Sequence, residues 1–519
     1  MNLNLPGEVC FDNQGLDDDD IEEIAQHVQN PHFSNRKKKK IEYVKGFIEA
    51  RDPCNTQKVD LIRKTLLAEY AGTVFDTHTT GDPKVRGPHG LAEIILKPNA
   101  RPVKQKMFQI QGERRAAWIA LTDQIIADGK VEPGIGPWNS PSFPVPKKKP
   151  GEYRLVEDFR RVNDATVDDA HPLPRIEDIL QKQGSYKIWS VLDLKDGYHQ
   201  MPLKEEHRPY TCMSTPKGTY QWKVLVMGLK NGNAMFQRMM EWVLRDLDNA
   251  DPYVDDIIIG STGDTEEELM ENHERDLRAL LQVLKKEELV VDPKKANLFM
   301  REVEFCGHIL REGRRSPAPG KMLSIQKLEL PMTITALRGF LGLTNYYSCY
   351  VQNYSALASS LMAKLQVGRT DGKKGSTKPI EWDEQSKQAF ETLKEALKEG
   401  LQVFQMDPDK PFVLHTDASH YAIGAVLEQI RDEKLVPVAF YSRKLTKSQL
   451  NWTPREKETY AIVACLHKWA GWIGFQPVVV RTDCRSLEHL GHRAGRHTLR
   501  AQRKTSQMAR NHVHIQLVS

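Results

Sequence analysis

The 519-residue chain has no apolar run long enough to cross a bilayer, and its N-terminus lacks a charged-then-apolar leader pattern. It also lacks any Cys-x-x-Cys pair or Cys/His cluster at zinc-ligand spacing. Its seven cysteines (Cys10, Cys54, Cys212, Cys306, Cys349, Cys465 and Cys484) are odd in number and scattered. These absences argue against a spanning helix, a disulfide framework and a structural zinc, and the expected setting is a reducing interior with no membrane partner. A large charge of one sign is missing too. With 74 Lys and Arg beside 69 Asp and Glu, the net charge of +5 permits a nucleic-acid partner without arguing for one. A 28% charged, 39% hydrophobic composition is ordinary for a globular protein, and the length allows two to four domains.

Residues 1–60 carry charge in blocks, acidic from Asp17 to Asp20 and basic from Arg36 to Lys40, and read as a flexible extension. From Leu61 the texture is globular, with helices expected from Leu61 to Tyr70 and from Glu113 to Ile126. A Pro/Gly-rich strip from Pro133 to Pro146 leads into Lys147-Lys148-Lys149, with Tyr153–Val156 returning as the second arm of a hairpin. Three ammonium groups at a hairpin tip suit phosphate, although a solvated loop has the same signature. Trp189–Leu194 reads as a strand ending on Asp193, and Asn231–Asp246 and Glu266–Leu289 as amphipathic helices. Gly307, Gly313, Pro317, Pro319 and Pro331 mark a loop-rich junction. Helices follow near 336–347 and 384–397, with a polar, Gly-rich linker at 368–378 between them.

The strongest local signal is Tyr253-Val254-Asp255-Asp256 before the β-branched run Ile257-Ile258-Ile259. Adjacent side chains on a regular strand face opposite ways, so both aspartates serve one centre only at a bend or hairpin tip. Alone, the pair reads first as a solvated turn, and only other parts of the chain can overturn that. Near the C-terminus three acids recur in one α/β pattern. Asp417 ends the strand Phe412–Asp417, Glu458 lies on a helix opened by a Thr453/Glu456 capping box, and Asp483 ends the strand Val478–Asp483.

Together the motifs resemble the reverse transcriptase–ribonuclease H region of gypsy-class LTR-retrotransposon polyproteins, over roughly residues 60 to 519. They occur in family order: Tyr153-Arg154-Leu155-Val156-Glu157-Asp158-Phe159-Arg160, His171-Pro172-Leu173-Pro174, Asp193-Leu194-Lys195-Asp196-Gly197-Tyr198, Gly228-Leu229-Lys230-Asn231 with Phe236-Gln237, and Tyr253-Val254-Asp255-Asp256. Gly307-His308-Ile309, Phe340–Tyr347, Thr416-Asp417-Ala418-Ser419, Glu456-Lys457-Glu458 and Thr482-Asp483 complete the series.

The resemblance implies an α+β multidomain fold: a right-hand polymerase of fingers, palm and thumb, a connection, and an RNase H-like α/β domain. It divides the chain into fingers and palm at 61–310, thumb and connection at 311–400, and the RNase H-like part at 401–519. Asp193, Asp255 and Asp256 would hold Mg²⁺, with Mn²⁺ as an alternative, for RNA-directed DNA synthesis. Lys147 and Arg154 match triphosphate contacts, Tyr198 an aromatic gate beneath the sugar, and Gln237 a residue near the nucleotide and template. Asp417, Glu458 and Asp483 would be metal ligands for cutting RNA. The implied partners are an RNA template, a DNA or RNA primer, dNTPs and RNA–DNA hybrid; the implied place is a cytoplasmic particle or the nucleus.

The chain departs from the pattern in places. Val226-Met227 stands where proline-phenylalanine is usual, and the approach to Tyr253 is the polar Leu247–Pro252, whose proline should shorten the first hairpin arm. The expected fourth RNase H carboxylate is not found before Ser519, so weak or absent RNase H activity is expected. No Asp-Ser/Thr-Gly protease motif or His-His-Cys-Cys integrase motif is present. A catalytically silent relic that binds RNA–DNA hybrid is the competing expectation.

Overall fold

The computed structural model describes residues 57–79, 81–147, 149–367, 379–398, 402–474, 476–482 and 513–517. They divide into two compact units that meet in sequence at Phe305 and Cys306. The expected break near 310 thus falls a few residues earlier, and the segments 311–400 and 401–519 share the second unit. Residues 1–56 of the expected extension, Lys148, the 368–378 linker and Asp483 lie outside the described residues, whereas residues 57–60, also expected to be extension, open the helix Gln57–Glu69.

The first unit holds two sheets. In one, the strands run Val131–Pro133, Gly218–Trp222, Met213–Thr215, Ser140–Pro146, Tyr153–Glu157. The Pro-rich strip therefore contains a strand, which local composition concealed. Ser140 and Pro141 pair with Met213 and Ser214, and Ser142–Pro146 pair with the hairpin arm on the other side. Over Pro144 and Pro146 only one neighbour is bonded, so the missing N–H groups break no second ladder. Ser142 ties the layers, accepting from Trp118 Nε1 at 3.0 Å and donating to the Ser214 carbonyl at 2.8 Å.

The other sheet, in the order Ala250–Tyr253, Asp256–Ser261, Ile188–Asp193, Asn297–Met300, is the floor of the site. Its inner strands read Ile188-Trp189-Ser190-Val191-Leu192 and Ile257-Ile258-Ile259, buried on both faces, and two helices pack against the face that carries Leu192, Ile257 and Ile259. Helix Gly232–Val243 contributes Met235, Phe236, Met239, Met240 and Val243; helix Glu266–Lys286 contributes Leu277, Leu280, Leu281 and Leu284. The second helix has Thr265 accepting from Glu268 N–H, three glutamates in its first turn and two lysines in its last, which suits the helix dipole. Behind the sheet His273 is buried, bonded to Ser190 Oγ at 2.8 Å and Ser261 Oγ at 2.9 Å.

In the second unit the expected loop-rich junction contains a hairpin, His308–Arg311 with Arg314–Pro317, turned at Gly313 with φ 66°. Residues with no apolar alternation still form strands there because Val403–Phe404, some ninety positions on, adds a third strand. Helices Ile334–Tyr346 and Glu384–Lys398 pack Leu337, Phe340, Phe390 and Leu393 into one core. The α/β part orders its strands Lys434–Lys444, Ala422–Arg431, Phe412–Ala418, Val478–Thr482, Val513–Leu517, the first three antiparallel and the last two joining in parallel. Helix Pro454–Lys468 lies on it, with the Thr453/Glu456 capping box formed as expected.

No described helix is long and apolar enough to cross a membrane.

Candidate active site

Tyr253 pairs with Asp256, so Val254 and Asp255 are the two residues of a hairpin turn. Val254 has φ 57°, the left-handed region that glycine ordinarily occupies at the first position of a type II′ turn. A β-branched residue there costs on the order of 1–3 kcal/mol and needs neighbours that hold it. Gln237 does so from helix Gly232–Val243. Fully buried, it accepts from Val254 N–H at 2.7 Å and donates from Nε2 to the Pro252 carbonyl at 3.0 Å and to Glu241 Oε1 at 3.0 Å. Gln237, expected near the nucleotide and template, has its amide committed to the turn.

The Pro252 arm is short, as expected, but its register is regular. Ala250–Tyr253 is an edge strand, where a missing N–H faces no partner strand. Asp251 on that arm is held by Lys182 Nζ and Gln183 Nε2, each at 2.6 Å.

The turn brings the acids together. Asp256 sits opposite Asp193 on the neighbouring strand. Leu194 N–H donates to the Asp255 carbonyl at 2.9 Å, fixing the two segments at the backbone. Gly197 is required by this approach, since a Cβ there would lie 2.8 Å from Asp255 Cβ. Burial raises the pKa of all three carboxyls. Asp255 is raised further by Asp193, and Asp256 by both Asp255 and Asp193, to about 7. Lys295 opposes this, with Nζ 3.2 Å from Asp193 Oδ1 and 3.3 Å from Oδ2.

As the side chains stand, no three carboxylate, His or Cys groups among the described residues converge on one ligating point. The donor set nevertheless fits a hard divalent cation. Burial raises all three carboxyls, Asp255 and Asp256 are raised further by acidic neighbours, and the ammonium groups of Lys295 and Lys195 offset this only in part. The sequence reading missed Lys295, although Lys294-Lys295 after Asp292-Pro293 offered a signal.

Tyr198 donates to Asn233 Oδ1 at 2.6 Å, and its ring lies 5.4 Å from that of Phe236. Arg154 and Lys147 are exposed on the Ser140–Glu157 hairpin, Lys147 N–H closing its tip on the Glu152 carbonyl. The motif Gly228-Leu229-Lys230-Asn231 is clamped by Asn163, which donates to the Gly228 carbonyl at 2.7 Å and accepts from Lys230 N–H at 2.8 Å. Met227 in front of it is exposed and Val226 buried, so the turn forms without the usual proline.

In the second unit Asp417 is exposed near the end of its strand. Glu458, buried on helix Pro454–Lys468, accepts from Ala418 N–H at 2.8 Å and so reaches the strand beside Asp417. Strand Val478–Thr482 runs parallel to Phe412–Ala418 and ends one residue before Asp483.

Residues 145–310 match the family described as reverse transcriptase (RNA-dependent DNA polymerase), and residues 382–480 the RNase H-like domain found in reverse transcriptase. The chain belongs to the reverse transcriptase family. It is 35% identical to the Pol polyprotein from transposon opus of Drosophila melanogaster over 86% of its own length and 44% of the relative's. To the Pol polyprotein from transposon gypsy of the same fly it is 34% identical, over 70% of its length and 35% of the relative's. It thus spans less than half of these relatives. Its fold is that of the foamy viral protease–reverse transcriptase solved with double-stranded DNA (TM-score 0.72, 22% identity, 92% of this chain and 81% of that one). A second structure of that protein, with RNA/DNA hybrid, gives TM-score 0.71 at 22% identity, over 92% of this chain and 62% of that one. Domains of both families generally depend on divalent metal.

Two outcomes follow from the geometry. Gln237→Leu strips partners from the Val254 N–H and the Pro252 carbonyl; at about 1–3 kcal/mol for each buried group left unsatisfied, the hairpin loosens. Hydrogen exchange over 250–258 then accelerates while that over 188–192 is unchanged. Asp256, raised to about 7, must also lose its proton to bind a cation, so apparent Mg²⁺ affinity falls about tenfold per pH unit below 7, and calorimetry at pH 6 and 8 reads this. The sign for stability is opposite. A raised carboxyl pKa stabilises the metal-free fold at low pH, and that contribution is lost as pH rises from the ordinary carboxylate range through 7.

Proposed function

We propose that this chain is an RNA-directed DNA polymerase that extends a DNA or RNA primer on an RNA template with dNTPs, joined to a module that cuts the RNA strand of RNA–DNA hybrid. The observation that carries this is the strained turn at Val254, which holds Asp255 and Asp256 beside Asp193. Mg²⁺ held by these three carboxylates would activate the primer 3′-hydroxyl and offset phosphate charge. Mn²⁺ has the same oxygen-ligand preference.

The chain's own residues do the rest. Exposed Arg154 and Lys147 offer cations to a triphosphate from the hairpin. The Tyr198 ring, fixed by Asn233 and backed by Phe236, is a wall that a ribose 2′-hydroxyl would meet and a deoxyribose would not. Lys295 keeps Asp193 compatible with its acidic neighbours until a cation takes over that charge. In the other unit Asp417, Glu458 and Asp483 would hold ions of the same kind. The foamy viral enzyme's complexes with double-stranded DNA and with RNA/DNA hybrid support the choice of nucleic-acid partners.

On a primed RNA template with Mg²⁺, Asp255→Asn cuts dNTP incorporation by at least about 10²–10³-fold. Unchanged extension by folded Asp255→Asn protein would refute the polymerase assignment. Tyr198→Ala raises rNTP use relative to dNTP by about 10–100-fold in competition assays, and unchanged sugar selectivity removes Tyr198 from the gate.

A further inference from the structure

Three buried polar atoms lie along a path from the strand that carries Arg154, through Trp222, to the turn that carries Tyr198. Glu157 ends strand Tyr153–Glu157; it is only 8% exposed, and its Oε1 has no hydrogen-bond partner among the described residues. Trp222, ending strand Gly218–Trp222, faces that carboxyl with its indole N–H, yet Nε1 closes no well-formed hydrogen bond there. The Trp222 ring stacks on His199, with centroids 5.1 Å apart and planes at 26°; His199 Nδ1 is also buried without a hydrogen bond among the described residues. His199 belongs to the turn Gly197–Gln200, which holds Tyr198 and the close approach to Asp255.

The chemistry of the cluster is that of neutral groups. Burial pushes the Glu157 carboxyl up to about 8, against opposing pulls from its own backbone N–H and from the indole N–H. Burial pushes His199 down to about 4, helped by Lys130 and opposed by Asp196 and Asp128. Those three face His199 from behind, Lys130 Nζ bridging Asp196 at 3.1 Å and Asp128 at 3.3 Å. At neutral pH a carboxylic acid therefore meets an indole and an uncharged imidazole. An ionised carboxylate in the same place would have only neutral donors, its own backbone N–H and the indole, and no cation on it, which a buried charge does not tolerate.

We propose that Glu157 is a positioning residue for the nucleotide: as the neutral acid it seats the Arg154 strand on the Trp222–His199 stack, and so against the Tyr198 turn, and it gives up that seat on ionising. The inference rests on the polymerase reading for its effect on dNTPs, but not for the titration itself.

The test compares wild type and Glu157→Gln, the uncharged isostere, from pH 6.5 to 9.5. At pH 9, one unit above about 8, roughly one molecule in ten keeps its proton, so the wild-type KM for dNTP rises about tenfold with kcat little changed. Glu157→Gln shows no such rise; alkaline effects on metal or nucleotide are common to both proteins and cancel in the ratio. Independently of activity, Trp222 emission in the wild type steps with a midpoint near pH 8, and the step is absent from Glu157→Gln and from Trp222→Phe. Should circular dichroism find Glu157→Gln unfolded, Glu157→Met replaces it. No emission step in folded wild type, or extension with the same KM profile in both proteins, overturns the proposal. A chain that shows the step but extends no primer loses the polymerase reading and keeps the Glu157 titration.

Discussion

The site depends on one side-chain amide. A valine at φ 57° is strained, and nothing local to the turn relieves it. Gln237 reaches it from a helix and satisfies a donor on one side of the turn and an acceptor on the other, a task that needs both ends of a carboxamide. A glutamate could accept but not donate, and a leucine could do neither. With the turn fixed, Asp255 and Asp256 point where the strand pairing puts Asp193, and Gly197 leaves the space that Asp255 needs. Position thus comes from tertiary contacts, and the acids themselves contribute only charge.

That charge works against the fold until something offsets it. Burial pushes all three carboxyls toward the protonated form, Asp193 adds to this at Asp255 and Asp256, and Lys295, paired with Asp193, opposes it at all three. Such a cluster is least comfortable metal-free at neutral to alkaline pH and most comfortable with a divalent cation or an extra proton. The second unit differs: Asp417 is exposed, and Glu458 spends one oxygen on a backbone N–H of the adjoining strand. Its site is set by a helix-to-strand hydrogen bond in place of a strained turn.

The sequence disclosed those features whose cause is local. A β-branched run after two aspartates implied a strand after a bend, period-3.6 leucines implied the covering helices, and Thr453 with Glu456 implied a cap; each formed. What escaped has causes far away in the chain. Lys295 meets Asp193 across 102 positions, and the hairpin 308–317 is completed by Val403–Phe404. Prolines in Ser140–Pro146 hid a strand because proline is judged by composition, whereas its cost depends on which edge is bonded. Gln237 was placed near the nucleotide by resemblance alone; what its amide touches is fixed by a turn 15 to 17 positions on, which has a donor and an acceptor to satisfy.

Whether the arrangement is that of a working catalyst or of a passive hybrid-binding protein can be argued from its costs. Binding a phosphate backbone needs cations and accessible donors, and crowded carboxylates oppose it. A passive binder would gain stability from a glycine at 254, from a larger residue at 197 and from separated acids. The chain instead keeps a strained valine, a space beside Asp255 that only a glycine leaves, and an acid pushed to about 7 by its neighbours and its burial. Each feature costs stability, and each finds a use under the proposed function, in which Asp193, Asp255 and Asp256 would hold a cation beside a phosphate. The energetics therefore favour catalysis over binding alone.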